Sequence, residues 1–451
     1  MPGAENISCK KPDPELRVTS AKNPGMSTFP PPVLSLTERS ADDMKKALVL
    51  AGGIPQIELI RNLQRRGYFV LLADYFPDPP ARKFADEFHQ VSTLDEPAIL
   101  ALAKEAAVDF VITCCTDQAL LTVADVSGEL GLPCYIDAKT ARNVTNKRYM
   151  KQVFREAGIP TAKFLITTDT DPEQFRDFRY PLVVKPVDCN SSKGVIKVYD
   201  RGQLAAAMEN AAALSRTHDV IVEEYMTGVE LSCDFAVRDG VVTTLSLSES
   251  QKVKSDKKFV ICRSVCPPRI KDGVAEKIRN VAQQIADAFG LYNSPLLIQF
   301  IYDGDEDVSV IEFSARTGGA IKYRLVWNMS HVDVVDEVVE LTLNGRFDAK
   351  PEYQDVHLRN EFLYCENGEL DHVEGLEELL RDGTVNETYL FKTKGDRFTG
   401  VNSSGDRVAA LVFLGESDEE VRRRCHEAVR RIRVIDRDGK DILKREINLA
   451  D

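Results

Sequence analysis

The chain has 451 residues, 43% of them hydrophobic, and a formal charge of −13. That length exceeds one ordinary core and predicts two or three domains. The acidic balance argues against a nucleic-acid or anionic-membrane partner, because phosphate binding requires a basic surface. No apolar run reaches the roughly 18 residues needed to span a bilayer. The N-terminus lacks the charged-then-apolar layout of a secretory signal. Ten cysteines, with Cys114 and Cys115 adjacent, show no CxxC spacing and no disulfide framework. Reduced thiols in a cytoplasmic protein are expected.

Residues 1–43 are rich in Pro, Ser, Asn and Lys, which predicts a disordered or weakly attached tail. Order begins at Lys46-Ala47-Leu48-Val49-Leu50, a buried-strand pattern that ends in Gly52-Gly53. A helix around 57–63, a strand at 68–72, a helix at 96–106 and a strand at 110–113 follow. This alternation implies a doubly wound parallel sheet over 44–140. The G-x-G-x-x-G spacing is absent, so a tight turn beneath a substrate pocket is favoured over a dinucleotide site. A helix over 147–157, stopped by Gly158 and Pro160, opens a region spanning 141–345. Within it, strands at 182–185, 195–198, 220–224 and 231–235 predict a small lobe over about 180–245. A helix near 275–289 precedes a hairpin. Beyond residue 345 the patterning is α+β, giving a lobe over 346–451 that contains a charged amphipathic helix at 418–434.

The hairpin carries the most information. In LLIQFIYDGDEDVSVIEFSARTGGA, starting at Leu296, two apolar strands are each interrupted by a polar residue, Gln299 and Glu312. The Asp303-Gly304 turn lets the two residues lie side by side, with Ser314 and Arg316 on the face of Glu312 by the period-2 rule. An amide oxygen, a carboxylate and a hydroxyl suit hard Mg²⁺, and an arginine beside them suits a phosphate or carboxylate. A surface glutamate with a salt-bridging arginine would explain one such strand taken alone.

Two further segments change that balance. In PLVVKPVDCNSSKGV, Lys185 ends an apolar strand, and the loop 188–194 is short-chained, hydroxyl-rich and closed by Gly194. Such a loop can fold its N–H groups over phosphate oxygens; an ordinary hairpin with a solvated lysine is the alternative. In VIVEEYMTGVE, a strand runs out into a connector whose free backbone groups can read an adenine edge, and Glu230 lies seven residues after Glu223. A solvated acidic turn is the alternative there.

In this order, the segments resemble the ATP-grasp superfamily over roughly residues 45–440. The resemblance implies an α/β and α+β multidomain protein: an ATP-grasp fold with a Rossmann-like N-terminal domain and a C-terminal α+β lobe. It implies that Lys147, in TNKRYMKQVFREAGIP, and Lys185 bind ATP phosphates, Lys185 also serving catalysis. Asp188, Ser191, Ser192 and Gly194 would form the phosphate loop. Glu223, Glu224, Tyr225 and Met226 would form the adenine hinge, with Glu230 on the ribose. Gln299, Glu312 and Ser314 would hold Mg²⁺, or Mn²⁺ in its place. Arg316 would be the catalytic and substrate-binding arginine, with Gly318, Gly319 and Arg324 lining the substrate pocket. Two departures stand out: DCNSSKG replaces a run of glycines, and Ser314 stands where most relatives carry Asn.

The ARTGG continuation and the C-terminal lobe resemble L-amino-acid ligases, which implies a carboxylate–amine ligase working through an acyl phosphate. A carboxylase or formate-using formyltransferase of purine precursors, and a non-catalytic nucleotide sensor, are the alternatives. Partners would be a small acid and an amine, with a homodimer by analogy to relatives. Lys322 and His331 follow close behind, the latter read first as a surface or core histidine. The run KVKSDKK from Lys252 is either a solvated loop or a lid.

Overall fold

The structure, a computed structural model, describes residues 44–188, 194–254, 259–348 and 350–450. The tail expected at 1–43 lies outside these residues, as do Ser191, Ser192 and residues 255–258 of the KVKSDKK run.

The first domain is built from β1 (Lys46–Leu50), α1 (Ile54–Arg65), β2 (Phe69–Asp74), β3 (Glu87–Gln90), α2 (Glu96–Ala106), β4 (Phe110–Ile112), α3 (Gln118–Leu130) and α4 (Ala138–Thr145). Its strands pair in parallel in the order β3-β2-β1-β4. β1 is apolar from Ala47 to Leu50 because both of its faces are covered. Ala47 and Val49 pack with Leu59, Ile60 and Leu63 of α1. Leu48 and Leu50 point the other way, into a cluster with Ala119 and Val123.

α5 (Lys147–Glu156) starts at Asn146, whose side chain accepts the Tyr149 N–H. β5 (Phe164–Thr167), β6 (Leu182–Pro186), β7 (Ile196–Val198), α6 (Arg201–Leu214) and β8 (Val220–Glu224) form a small lobe. Its antiparallel sheet has the order β5-β8-β6-β7 and is backed by Leu204, Met208 and Ala211 of α6.

β9 (Val229–Arg238), β10 (Val241–Lys252), β11 (Ile261–Cys266), α7 (Val274–Phe289), β12 (Ser294–Tyr302), β13 (Val308–Ser314), α8 (Lys322–Ser330) and α9 (Val334–Asn344) come next. β14 (His357–Tyr364), β15 (Gly368–Glu374), α10 (Leu376–Arg381), β16 (Glu387–Leu390), β17 (Arg397–Phe398), β18 (Arg407–Gly415), α11 (Asp418–Arg431), β19 (Arg433–Asp436) and α12 (Arg445–Leu449) complete the chain. One eight-stranded antiparallel sheet runs β13-β12-β9-β10-β11-β14-β18-β16 and crosses residue 345 without a break. A core including Phe154, Phe289 and Phe313 holds α5 and α7 on one face of it.

The charged helix expected at 418–434 stops at Arg431, and Arg433–Asp436 is a strand paired with β15. Ser417 caps the helix, three acids fill its first turn and Arg430 and Arg431 its last, which suits the macrodipole. The Ile432-Arg433-Val434-Ile435 stretch that follows has β-branched side chains, and Val434 is buried in the sheet.

Candidate functional site

A cleft of about 1330 Å³ runs between the carboxyl ends of the parallel strands, the small lobe and the exposed face of the eight-stranded sheet. The turn Gly52-Gly53 lines it, as expected at the end of β1. A Cβ on Gly52 would come within 2.7 Å of Pro79, so the backbone approach there requires glycine.

Cations of the small lobe and α5 meet one carboxylate. Lys185 donates to Glu223 Oε1 at 2.6 Å, and Lys151 lies 3.1 Å from Glu223 Oε2. Glu223 is 4% exposed and Lys151 2%. Burial alone would raise the Glu223 carboxyl, but the two ammonium groups outweigh it and hold the group down at about 2. Burial lowers Lys151, with partial relief from Glu223 and repulsion from Lys185; Lys185 is held above its ordinary range by Glu223 despite burial. Lys151 also donates to Thr161 at 2.7 Å. Its role is absent from the sequence reading, although it lies one helical turn after Lys147.

The hairpin has the expected register. Gln299 pairs directly with Glu312, and a bulge after Gln299 sets Phe300 against Val310. Lys147 Nζ sits 3.8 Å from Glu312 Oε2. Gln299 Nε2 donates to Glu230 at 3.3 Å, and Lys252 closes on the other Glu230 oxygen at 2.5 Å. Both Glu230 and Lys252 line the cleft.

Asp117, from the loop after β4, was not anticipated. It accepts from Ser314 Oγ at 2.5 Å, from Arg316 Nε at 2.7 Å and from Arg316 Nη2 at 2.5 Å. Arg316 Nη1 donates to the Thr317 carbonyl at 2.7 Å. The fork expected to grip a substrate is thus closed on a carboxylate of the first domain. Burial would raise Asp117 and lower Arg316, and their mutual attraction reverses both. A carboxylate just past a parallel strand's carboxyl end is where an open α/β sheet presents its ligands, and that rule could have singled it out.

Gly318 and Gly319 line the cleft. Asp234 accepts the Gly318 N–H at 2.9 Å, and a Cβ at Gly318 would lie 2.6 Å from that of Lys322. Tyr225 and Met226 also line it, with Lys197 3.5 Å above the Tyr225 ring. Other expected residues are held by protein groups, Glu224 and Asp188 within the cleft's lining and Arg324 outside it. Arg324 is outside the lining and makes a two-pronged pair with Glu387, at 2.8 and 2.7 Å. Glu224 reaches the cleft's rim but is bound to Arg179. Asp188 accepts from the Arg216 backbone at 2.8 Å, and Gly194 is packed on Leu214 and Pro186. His331 caps α8 and stacks on Trp327, away from the cleft.

Gln299, Glu312 and Ser314 offer an amide, a carboxylate and a hydroxyl oxygen. No group of three or more His, Cys, Asp or Glu suited to a metal exists among the described residues. One carboxylate with an amide and a hydroxyl oxygen is a donor chemistry compatible with Mg²⁺, which takes one or two carboxylates and completes its shell with phosphate oxygens and water.

Comparison with known proteins finds similarity over much of the chain. Residues 178–323 match the model of the ATP-grasp domain, and residues 361–436 match that of the L-amino acid ligase C-terminal domain 2. The chain is 27% identical over 406 residues to a phosphoribosylamine–glycine ligase of Streptomyces coelicolor, covering 86% of this chain and 95% of that one. It is 28% identical to a D-alanine–D-alanine ligase of an Arthrobacter species over 262 residues, 51% of this chain and 65% of that protein. In structure it resembles an L-amino acid ligase from Bacillus licheniformis, with a TM-score of 0.74 at 20% identity over 89% of this chain and all of the other.

Proposed function

We propose, for a chain that has the ATP-grasp fold and bears the L-amino acid ligase C-terminal domain 2, that it joins a small acid to an amine at the expense of ATP. The observation that carries this reading is the convergence of Lys147, Lys185, Glu223, Glu230, Gln299, Glu312 and Arg316 on one cleft.

ATP is a substrate here. Its phosphates would lie between Lys147 and Lys185, its base at Glu223 to Met226 and its ribose at Glu230, once Lys252 yields that carboxylate. Mg²⁺ bound at Gln299, Glu312 and Ser314 would neutralise phosphate charge. A carboxylate oxygen of the acid attacks the γ-phosphorus, and the bridging oxygen leaves with its electron pair on ADP. The amine nitrogen then attacks the carbonyl carbon, phosphate leaves, and the ammonium proton passes to solvent. The protein's share is positioning and charge neutralisation. Arg316, fixed by Asp117, places a permanent positive charge at the end of β13.

The test is ADP and phosphate release with Mg-ATP against single and paired amino acids, with bicarbonate and formate alongside. A new amide mass that requires both an acid and an amine is expected. Turnover with bicarbonate or formate alone would overturn the ligase reading.

A further inference from the structure

Forming an amide uses the nitrogen lone pair, yet an amine arrives at neutral pH largely as an ammonium. A proton acceptor near the reacting end is therefore required, and the carboxylates there are already engaged. Glu223 is held by Lys151 and Lys185, Glu230 by Lys252, Glu312 by Lys147 and Asp117 by Arg316. A carboxylate answered by a cation is a weak base, because the pairing favours its charged form.

Lys322, the first residue of α8, has different surroundings. It lines the cleft, and its stem packs against Gly318, two residues after Arg316. Its Nζ donates to Ser248 Oγ at 2.5 Å, and Ser248 in turn donates to the Ser232 carbonyl at 3.0 Å. No carboxylate among the described residues lies within ion-pair distance of it. Asp234 of β9 attracts it from further off, and that carboxylate is itself held by the Gly318 N–H and the Ser246 hydroxyl. Cys233 and Glu230 of β9 and Cys266 of β11 are the other titratable groups that act on it. Burial outweighs them all and holds the ammonium below its ordinary range. Ser248 pairs with Ser232, and Ser232 with Gln299, which sets Ser248 two strand spacings, or roughly 10 Å, from the hairpin. The Nζ is thus at the Arg316 end of the cleft.

We propose that Lys322, as its neutral amine, takes a proton from the acceptor ammonium and so frees the lone pair that attacks. This rests on the amide-forming reading above. One N–H bond of the ammonium breaks as the new bond to Nζ forms, and Lys322 later gives that proton to solvent. The freed lone pair forms the C–N bond. Phosphate then leaves with the electron pair of the C–O bond, and the second nitrogen proton departs on it. A buried lysine poised in this way is a general base, held in place by Ser248.

Hydroxylamine is neutral at pH 7 and needs no such acceptor, so it separates the proton step from the rest of the reaction. A donor acid is first found by colorimetric hydroxamate formation over a panel of amino acids. With that donor, kcat/KM is measured for hydroxylamine and for the common amino acids and their amides as amines, in the wild type, K322M and K322R. At pH 7, K322M should lower amide formation by about a hundredfold or more relative to hydroxamate formation. That deficit should shrink as pH rises, because the amine then arrives neutral. K322R keeps the charge but cannot give up its proton, and it should share the deficit. The ratio is blind to any general loss of folded enzyme. Equal losses for both nucleophiles, a deficit independent of pH, or full activity in K322R would overturn the inference. So would a wild type that makes hydroxamate but no amide with any of these amines. Absence of hydroxamate with every acid overturns the amide-forming reading instead, and the inference falls with it.

Discussion

Of Gln299, Glu312 and Ser314, the three residues proposed to hold Mg²⁺, Glu312 is the carboxylate, so a cation bound there would depend on it. Glu312→Gln should cost about 2–4 kcal/mol of transition-state stabilisation. A Mg²⁺ titration of ADP release that matches the wild type would remove it from the metal site. Arg316 and Asp117 are argued as a pair. Arg316→Ala leaves the half-buried Asp117 without its arginine partner and should abolish turnover. Asp117→Asn frees the fork but leaves the positive charge, and should lower kcat far less. Equal losses in the two variants would mean that the pair only supports the fold. Glu223 carries a pH signature. Its folded carboxyl lies at about 2, below its ordinary value of 4.5. The stability it contributes is therefore fully present above about pH 4.5 and is lost as pH falls towards 2. Denaturant melts of wild type and Glu223→Gln should differ by a few kcal/mol at pH 6 and converge towards pH 2.5. A gap independent of pH would show that Glu223 stays charged in both states or in neither.

At the scale of elements, the connector between β8 and β9 is pinned. Gly228 has φ +147°, and a Cβ there would meet the Tyr302 carbonyl oxygen at 2.1 Å. The connector that leaves β8 is thus seated directly on the end of β12. Gly228→Ala should lower stability by about 1–3 kcal/mol, read from the denaturation midpoint, and should also weaken ATP binding. An unchanged midpoint would show that the connector can move away. The hairpin turn shows how much local sequence settles. Asp303 accepts from the N–H groups of Asp305 and Asp307, Gly304 takes a positive φ of +93°, and the register of Gln299 on Glu312 follows.

At the scale of the molecule, the cleft is assembled from three separate layers, so a ligand that bridges them stabilises the whole. Mg-ATP at a hundred times its dissociation constant should add about 2.7 kcal/mol. A thermal shift with Mg-ATP that vanishes in Glu312→Gln would support the layout, and an identical shift in both would count against it. The eight-stranded sheet also joins β14, β18 and β16 to the strands of the hairpin. Residues beyond 345 therefore reach the same cleft, as Phe362, Phe391 and Arg407 do.

What the sequence determined by itself was local: the alternation of strands and helices, the hairpin register, and the positions of Lys147, Lys185, Glu223, Glu230, Gln299 and Glu312. The alternation and the register follow from periodicity and turn spacing within a few tens of residues, whereas the gathering of those six residues into one site was implied by the resemblance to the ATP-grasp superfamily. What only the tertiary structure decided was partnership. Asp117 closes on Arg316 across 199 residues, Lys151 of α5 and Lys185 of β6 share Glu223 of β8, and Glu387 takes Arg324 out of the cleft. A charged side chain must find its counter-charge wherever burial brings one near, and that distance in space is not written as a distance in sequence.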